Sequence, residues 1–147
     1  IEFNFGPLDY QSPVLNFDFT DYYNEEMGAP IKRIILSVEK LLDPSRLAEI
    51  KQKTNDIEAQ FAEGERRKVN LDPGILGLSR FVLATTKEGP HRIPLKDGIW
   101  AELTLRYEKG EFKSLPWTYL DYQSEAYKTI LNEIRIIYRK QRKSQQS

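Results

Sequence analysis

The sequence predicts an α+β protein with a mostly antiparallel sheet, on three observations. Ile99, Ala101, Leu103, Leu105 and Tyr107 alternate with Trp100, Glu102, Thr104 and Arg106, the period of a strand with two unlike faces. Asp43-Pro44 opens a stretch where Leu47, Ile50, Ile57 and Phe61 recur at helical spacing. Tyr127, Ile130, Leu131, Ile134, Ile137 and Tyr138 make a second helical stripe.

The other elements follow in chain order. Val14 to Phe19 alternates, with Leu15, Phe17 and Phe19 on one side and Asn16 and Asp18 on the other, and reads as a half-buried strand. Asp21 to Gly28 is polar and reads as loop or a short helical turn. Ile31 to Lys40 is the next strand. Asp43 offers a cap to free backbone N–H groups and Pro44 suits the first helical position, so a helix runs from Pro44 to about Ala62 and stops near Gly64. Lys68 to Asp72 alternates again, with Val69 and Leu71 inward, and Pro73-Gly74 ends it. Ile75 to Thr86 suits a buried strand or a short helix followed by a strand, and the latter is preferred. Lys109-Gly110 supplies the turn between the Ile99–Tyr107 strand and a return strand, Glu111 to Leu115. Ser124 caps the last helix, and the basic, polar tail 139–147 is expected to fray.

Composition bounds the chemistry. With 147 residues and no repeat or linker, the chain reads as one domain, 1–147. Lys+Arg and Asp+Glu are both 22, a balance that argues against a dedicated nucleic-acid binder. With no Cys there is no disulfide, zinc-thiolate site, iron–sulfur cluster or Cys nucleophile, and with one His no multi-histidine metal site within one chain. A metal would need oxygen ligands, of the Mg or Ca type. No apolar run approaches the roughly 18–20 residues that span a bilayer, and no signal peptide is visible, so a cytoplasmic location is expected. The chain begins at Ile1 rather than Met, which suggests a natural N-terminal piece ahead of it.

Several short motifs share an order. They are Phe17-Asp18-Phe19-Thr20-Asp21-Tyr22-Tyr23 with Glu26-Met27-Gly28, then Asn70-Leu71-Asp72-Pro73-Gly74, Leu83-Ala84-Thr85-Thr86-Lys87 and His91-Arg92-Ile93. Glu102-Leu103-Thr104-Leu105-Arg106-Tyr107, Pro116-Trp117-Thr118-Tyr119 and Asp121-Tyr122 complete the set. On these residues the chain resembles the bacterial and archaeal family of uncharacterised proteins called domain of unknown function 4416, over nearly its whole length. Leu120 departs from the pattern, where proline is expected. The resemblance implies a further strand and helix upstream of Phe5-Gly6-Pro7. With those in front, the order becomes βαββαβ, a ferredoxin-like sandwich with an added β-hairpin and C-terminal helix. It implies no activity.

In that fold the helices cover one sheet face, and the open face carries Asn16, Asp18, Asn70, Asp72, Glu102, Thr104 and Arg106, with Lys87, His91 and Arg92 near its rim. The leading expectation is a site for a small phosphorylated or nucleotide-like anion. Asn70, Lys87, Arg92, Thr104 and Arg106 would contact it, since cationic and hydroxyl donors suit phosphate oxygens. Asp18, Asp72 and Glu102 would hold a divalent cation such as Mg, which assists phosphoester chemistry. His91 and Asp72 are the candidate catalytic groups, His91 because imidazole exchanges protons near neutral pH. Plainer readings stand beside each. Asp72 before Pro73-Gly74 suits a turn, Glu102 and Arg106 suit cross-strand ion pairs, and His91-Arg92 suits a solvated loop. The alternative function is a non-enzymatic interaction module, forming a homo-oligomer through the Trp117 and Tyr119 region. No phosphate loop, dinucleotide fingerprint, nucleophile elbow or zinc-type histidine motif is present.

Overall fold

The computed structural model describes residues 1–16 and 31–146. The elements are α1 (Glu2–Phe5), β1 (Leu8–Gln11), β2 (Leu15–Asn16), β3 (Lys32–Arg33), β4 (Leu36–Val38), α2 (Leu47–Gln60), β5 (Gly74–Leu76), β6 (Arg80–Thr85), β7 (Arg92–Pro94), β8 (Trp100–Glu108), β9 (Glu111–Ser114), α3 (Leu120–Gln123) and α4 (Glu125–Gln146). The class is α+β, and all strand pairs are antiparallel. β5, β6, β8 and β7 lie side by side, and β9 also pairs with β8. β1 pairs with β4, and β2 with β3. Among the described residues, no helix is long and apolar enough to cross a membrane.

Local chemistry sets these elements. The Asp43 carboxylate accepts from the Ser45 amide at 2.9 Å, and Pro44 begins a single 3-10 turn that leads into α2. α2 buries Leu47, Ala48 and Ile57 but ends at Gln60, leaving Phe61 exposed. Lys109 and Gly110 both take positive φ, as the two-residue turn between β8 and β9 demands. Ser124 accepts from the Tyr127 amide at 3.3 Å and so caps α4 as expected. α4 runs on through the expected frayed tail, where Gln141 donates to Asp9 and to the Glu39 carbonyl.

Three other expectations change. Ile31 to Lys40 is two strands, because Ser12 takes both backbone positions of Ile35 and divides the run between different partners. Lys68 to Asp72 is not a strand. The Leu71 amide donates to Glu58, and its carbonyl accepts from Lys51, so α2 side chains stand where a neighbouring strand would. Ile75 to Thr86 is a β-hairpin without a helix, closed by the Gly77 amide on the Arg80 carbonyl at 2.9 Å. Of the Val14–Phe19 strand only Leu15–Asn16 falls within the described residues, and Asp18 and the 21–28 loop lie outside them.

Both faces of the five-stranded sheet carry helices, not one. Phe81, Leu83, Leu105 and Phe112 pack with Tyr122, Tyr127, Ile130, Leu131 and Ile134 of α3 and α4. Val82, Ala84, Ile99 and Ala101 pack with Leu47 and Ala48 of α2. A bulge in β8 makes this possible. Leu105 faces Phe81 while Leu103 faces the next residue of β6, Val82, so Thr104 is one residue too many for the ladder. Residues directly opposite share a face. Ala101 and Leu103 therefore lie on the α2 side, and Leu105 and Tyr107 on the α4 side. The alternation expected from Ile99 to Tyr107 reverses at Thr104.

Candidate functional site

The bulge separates two groups expected to share a face. Glu102 stands opposite Leu83 and Arg92, on the α4 side. Arg106 stands opposite Arg80, on the α2 side beyond the reach of that helix's core contacts. The polar residues sort into three centres.

The first surrounds Glu102, which is 2 % exposed. A buried carboxylate must be compensated, because desolvation costs several kcal/mol per ion. Its Oε1 accepts from Arg92 Nε at 3.1 Å and lies in hydrogen-bond contact with His91 Nε2 at 2.8 Å. The Arg92 fork is otherwise spent: Nη1 donates to the Lys87 carbonyl at 3.0 Å and Nη2 to the Tyr119 hydroxyl at 3.3 Å. Trp117 stacks on the imidazole, ring centroids 5.3 Å apart, and donates from Nε1 to the Leu103 carbonyl at 2.7 Å. Thr118 donates to the Thr104 carbonyl at 2.6 Å, and the fully buried Thr104 hydroxyl donates to the Glu102 carbonyl at 3.2 Å. Residues 117–119 are thus clasped onto β8 where it bulges.

The second centre is a chain of alternating charge. Arg33 donates to Asp121 at 2.6 Å and lies 3.8 Å from Asp72. Asn70 donates to Asp72 at 3.1 Å and accepts from Arg67 at 2.7 Å, and Arg67 reaches the buried Glu58 at 3.2 Å. Burial pushes the Asp121 carboxyl above its ordinary value, and the Arg33 charge only partly offsets this. Burial likewise pushes the Tyr122 and Tyr127 phenols up. Burial alone would lower Arg33, but the adjoining tyrosines and acids outweigh it and hold the guanidinium above its ordinary value.

The third centre is the Arg80–Arg106 end of the sheet. Ser79, Arg80, Leu103, Arg106, Tyr107 and Glu108 line a cleft of about 410 Å³. The two arginines are direct cross-strand neighbours. Among the described residues, Arg80 reaches the Ser79 hydroxyl, at 3.4 Å, and Arg106 reaches Glu108, at 3.7 Å, with both partners of that pair about half exposed. Both arginines are exposed at this end of the sheet.

Lys87 (through its carbonyl), His91, Arg92, Glu102 and Thr104 therefore meet in one place, Asn70 and Asp72 in another, and Arg106 in a third. Glu102 and Asp72 each face an arginine, in separate centres. Among the described residues, no three His, Asp or Glu side chains form a group able to hold a metal ion. Sequence reasoning missed Arg33, Arg67, Glu58, Asp121 and Arg80. Arg33 had a visible signal, a charge beside Lys32 just ahead of the apolar run Ile34 to Leu36. Arg80 had none, because its importance is the register that sets it against Arg106.

The comparisons with known proteins add one family. A family model described as a domain of unknown function (DUF4416) matches residues 1–138. Neither a curated protein nor a solved structure matches the chain.

Proposed function

The chain belongs to the DUF4416 family, and from that premise we propose that it binds a small phosphorylated or nucleotide-like anion at the Arg80–Arg106 end of the sheet. The observation that carries the reading is the cross-strand pair of arginines beside an open cleft. Like charges directly opposite on a sheet repel. A fold keeps such a pair at little cost when a bound anion neutralises it, and guanidinium forks match phosphate oxygens two at a time. The Ser79 hydroxyl adds a neutral donor at the cleft wall. Among the described residues, Glu108 is the carboxylate lining it, and its exposed pairing with Arg106 is worth little.

Thermal denaturation with pyrophosphate, nucleoside triphosphates and inorganic phosphate tests this, with and without Mg. A ligand that binds the native state raises the melting temperature, and at a hundred times its Kd it adds about 2.7 kcal/mol. The expected result is a rise that disappears in Arg80→Ala and in Arg106→Ala but survives in Arg46→Ala, an arginine whose partner is Glu49 on the surface of α2. No rise with any of these anions, or a rise the two variants leave intact, defeats the reading.

The ferredoxin-like order stands on the same footing as our own reading. The pairing of β2 with β3 ahead of α2 supports its central ββα step.

A further inference from the structure

We infer that His91 is a reactive imidazole whose Nδ1 attacks activated acyl groups, with Glu102 as its positioning residue. The site is separate from the Arg80–Arg106 cleft, on the other face of β8, and does not depend on that reading.

The sequence builds the geometry locally. Pro90 and His91 are the central residues of a turn closed by the Arg92 amide on the Gly89 carbonyl at 3.1 Å. Proline at the first central position presets that turn. The next residue, Arg92, enters β7 opposite Glu102, so the turn delivers the imidazole to the same carboxylate. Glu102 Oε1 already accepts from the Arg92 fork, so the imidazole adds a second N–H to that oxygen, from Nε2. The lone pair then sits on Nδ1. Nδ1 bonds no described residue and is not among the buried polar atoms lacking a partner, so it reaches solvent. The imidazole is 24 % exposed while Glu102 is nearly sealed. A buried acceptor that fixes the ring while the far nitrogen stays open is the arrangement that orients a nucleophile or base. Trp117 holds the ring plane by stacking. Trp117 and Tyr119 are 36 % and 57 % exposed and give an aromatic surface beside it. The ligand class that fits is an ester or other activated acyl compound carrying an aromatic ring.

The reaction balances with water as the only co-reactant. The Nδ1 lone pair bonds to the acyl carbon, and the aryloxide leaves with the pair of the broken C–O bond. Nε2–H stays on Glu102 while the ring carries the positive charge. Water then attacks the acyl carbon, the C–N pair returns to Nδ1, and the protons pass to solvent.

The test uses the full chain and 4-nitrophenyl acetate. Because His91 is the only histidine, its nitrogen-15 NMR signals identify the proton-bearing atom without assignment. The expected tautomer is Nε2–H. Release of 4-nitrophenolate should be at least about tenfold faster than in His91→Gln, modest beside the 10²–10⁴ of general acid–base catalysis. In Glu102→Gln the rate should fall toward that of His91→Gln. A proton on Nδ1, or a wild-type rate equal to that of His91→Gln, overturns the proposal. An unchanged rate in Glu102→Gln overturns the positioning role. If Glu102→Gln does not fold, the tautomer and the His91→Gln rate still decide.

Discussion

The two ends of β8 hold the same chemistry in opposite states. At Glu102, an arginine, a histidine and a carboxylate close on one another, and the Arg92 fork reaches three further oxygens. At Arg106, four residues later, a second arginine faces a third across the ladder, and the one acidic partner of the pair among the described residues is the half-exposed Glu108, 3.7 Å from Arg106. The difference lies in burial rather than residue type. A charge sealed from water, as at Glu102, must be neutralised by the chain, because leaving it unpaired costs several kcal/mol. A charge left in water need not be, so the exposed end is free to serve a ligand. An arginine in sequence therefore says little about function until its exposure is known.

The largest test of this contrast is Arg92→Ala. Among the described residues it leaves the buried Glu102 with His91 as its remaining side-chain partner, and breaking a buried pair costs about 3–5 kcal/mol. Urea denaturation should show that loss. Arg92→Ala combined with Glu102→Leu should recover part of it, since an apolar pair no longer strands a charge. A loss below about 1 kcal/mol for Arg92→Ala would place this pair with ordinary surface ion pairs and erase the contrast.

A middle-sized effect tests how far the closed end extends. Residues 117–121 link Arg92, through Tyr119, to Arg33, through Asp121. Burial raises the Asp121 pKa in the folded state. A raised acid binds its proton more tightly when folded. Its contribution to stability is therefore full below the unfolded value, 3.8, and is lost as pH rises through the folded value. Asp121→Asn has no such titration. The stability of wild type relative to Asp121→Asn should thus grow as the buffer is acidified from neutrality toward pH ~4. A gap that is constant, or that grows with rising pH, would mean that Arg33 fully compensates Asp121 and the burial argument does not reach it.

Much of the fold was legible because it obeys short-range rules. Asp43-Pro44, Lys109-Gly110 and Ser124 each act through neighbours one to three residues away. The misreadings share one cause, a distant group taking a local role. Lys68–Asp72 alternates like a strand, yet Glu58 and Lys51 hold its backbone from α2. Ile31–Lys40 reads as one continuous strand, yet Ser12 divides it. The candidate residues were picked by type, and the meeting of His91, Arg92 and Glu102 came from that. The separation of Arg106 was illegible, because a bulge leaves no mark in strict alternation. It is set by which residue of β6 stands opposite Leu103.

The smallest effect discriminates best. If Arg80 and Arg106 are retained for a ligand, they are a liability without one. Arg106→Ala should then leave the ligand-free protein unchanged or more stable by roughly 0.2–1 kcal/mol, the scale of one cross-strand pair. The gain should shrink in high salt, since exposed charges are screened within about 10 Å at 0.1 M. The same substitution should abolish the melting shift given by pyrophosphate. A variant that gains stability and loses binding carries the signature of a site held against the preference of the fold. If Arg106→Ala instead costs more than about 1 kcal/mol without ligand, the arginine supports the sheet. The open end of β8 would then be as structural as the closed one.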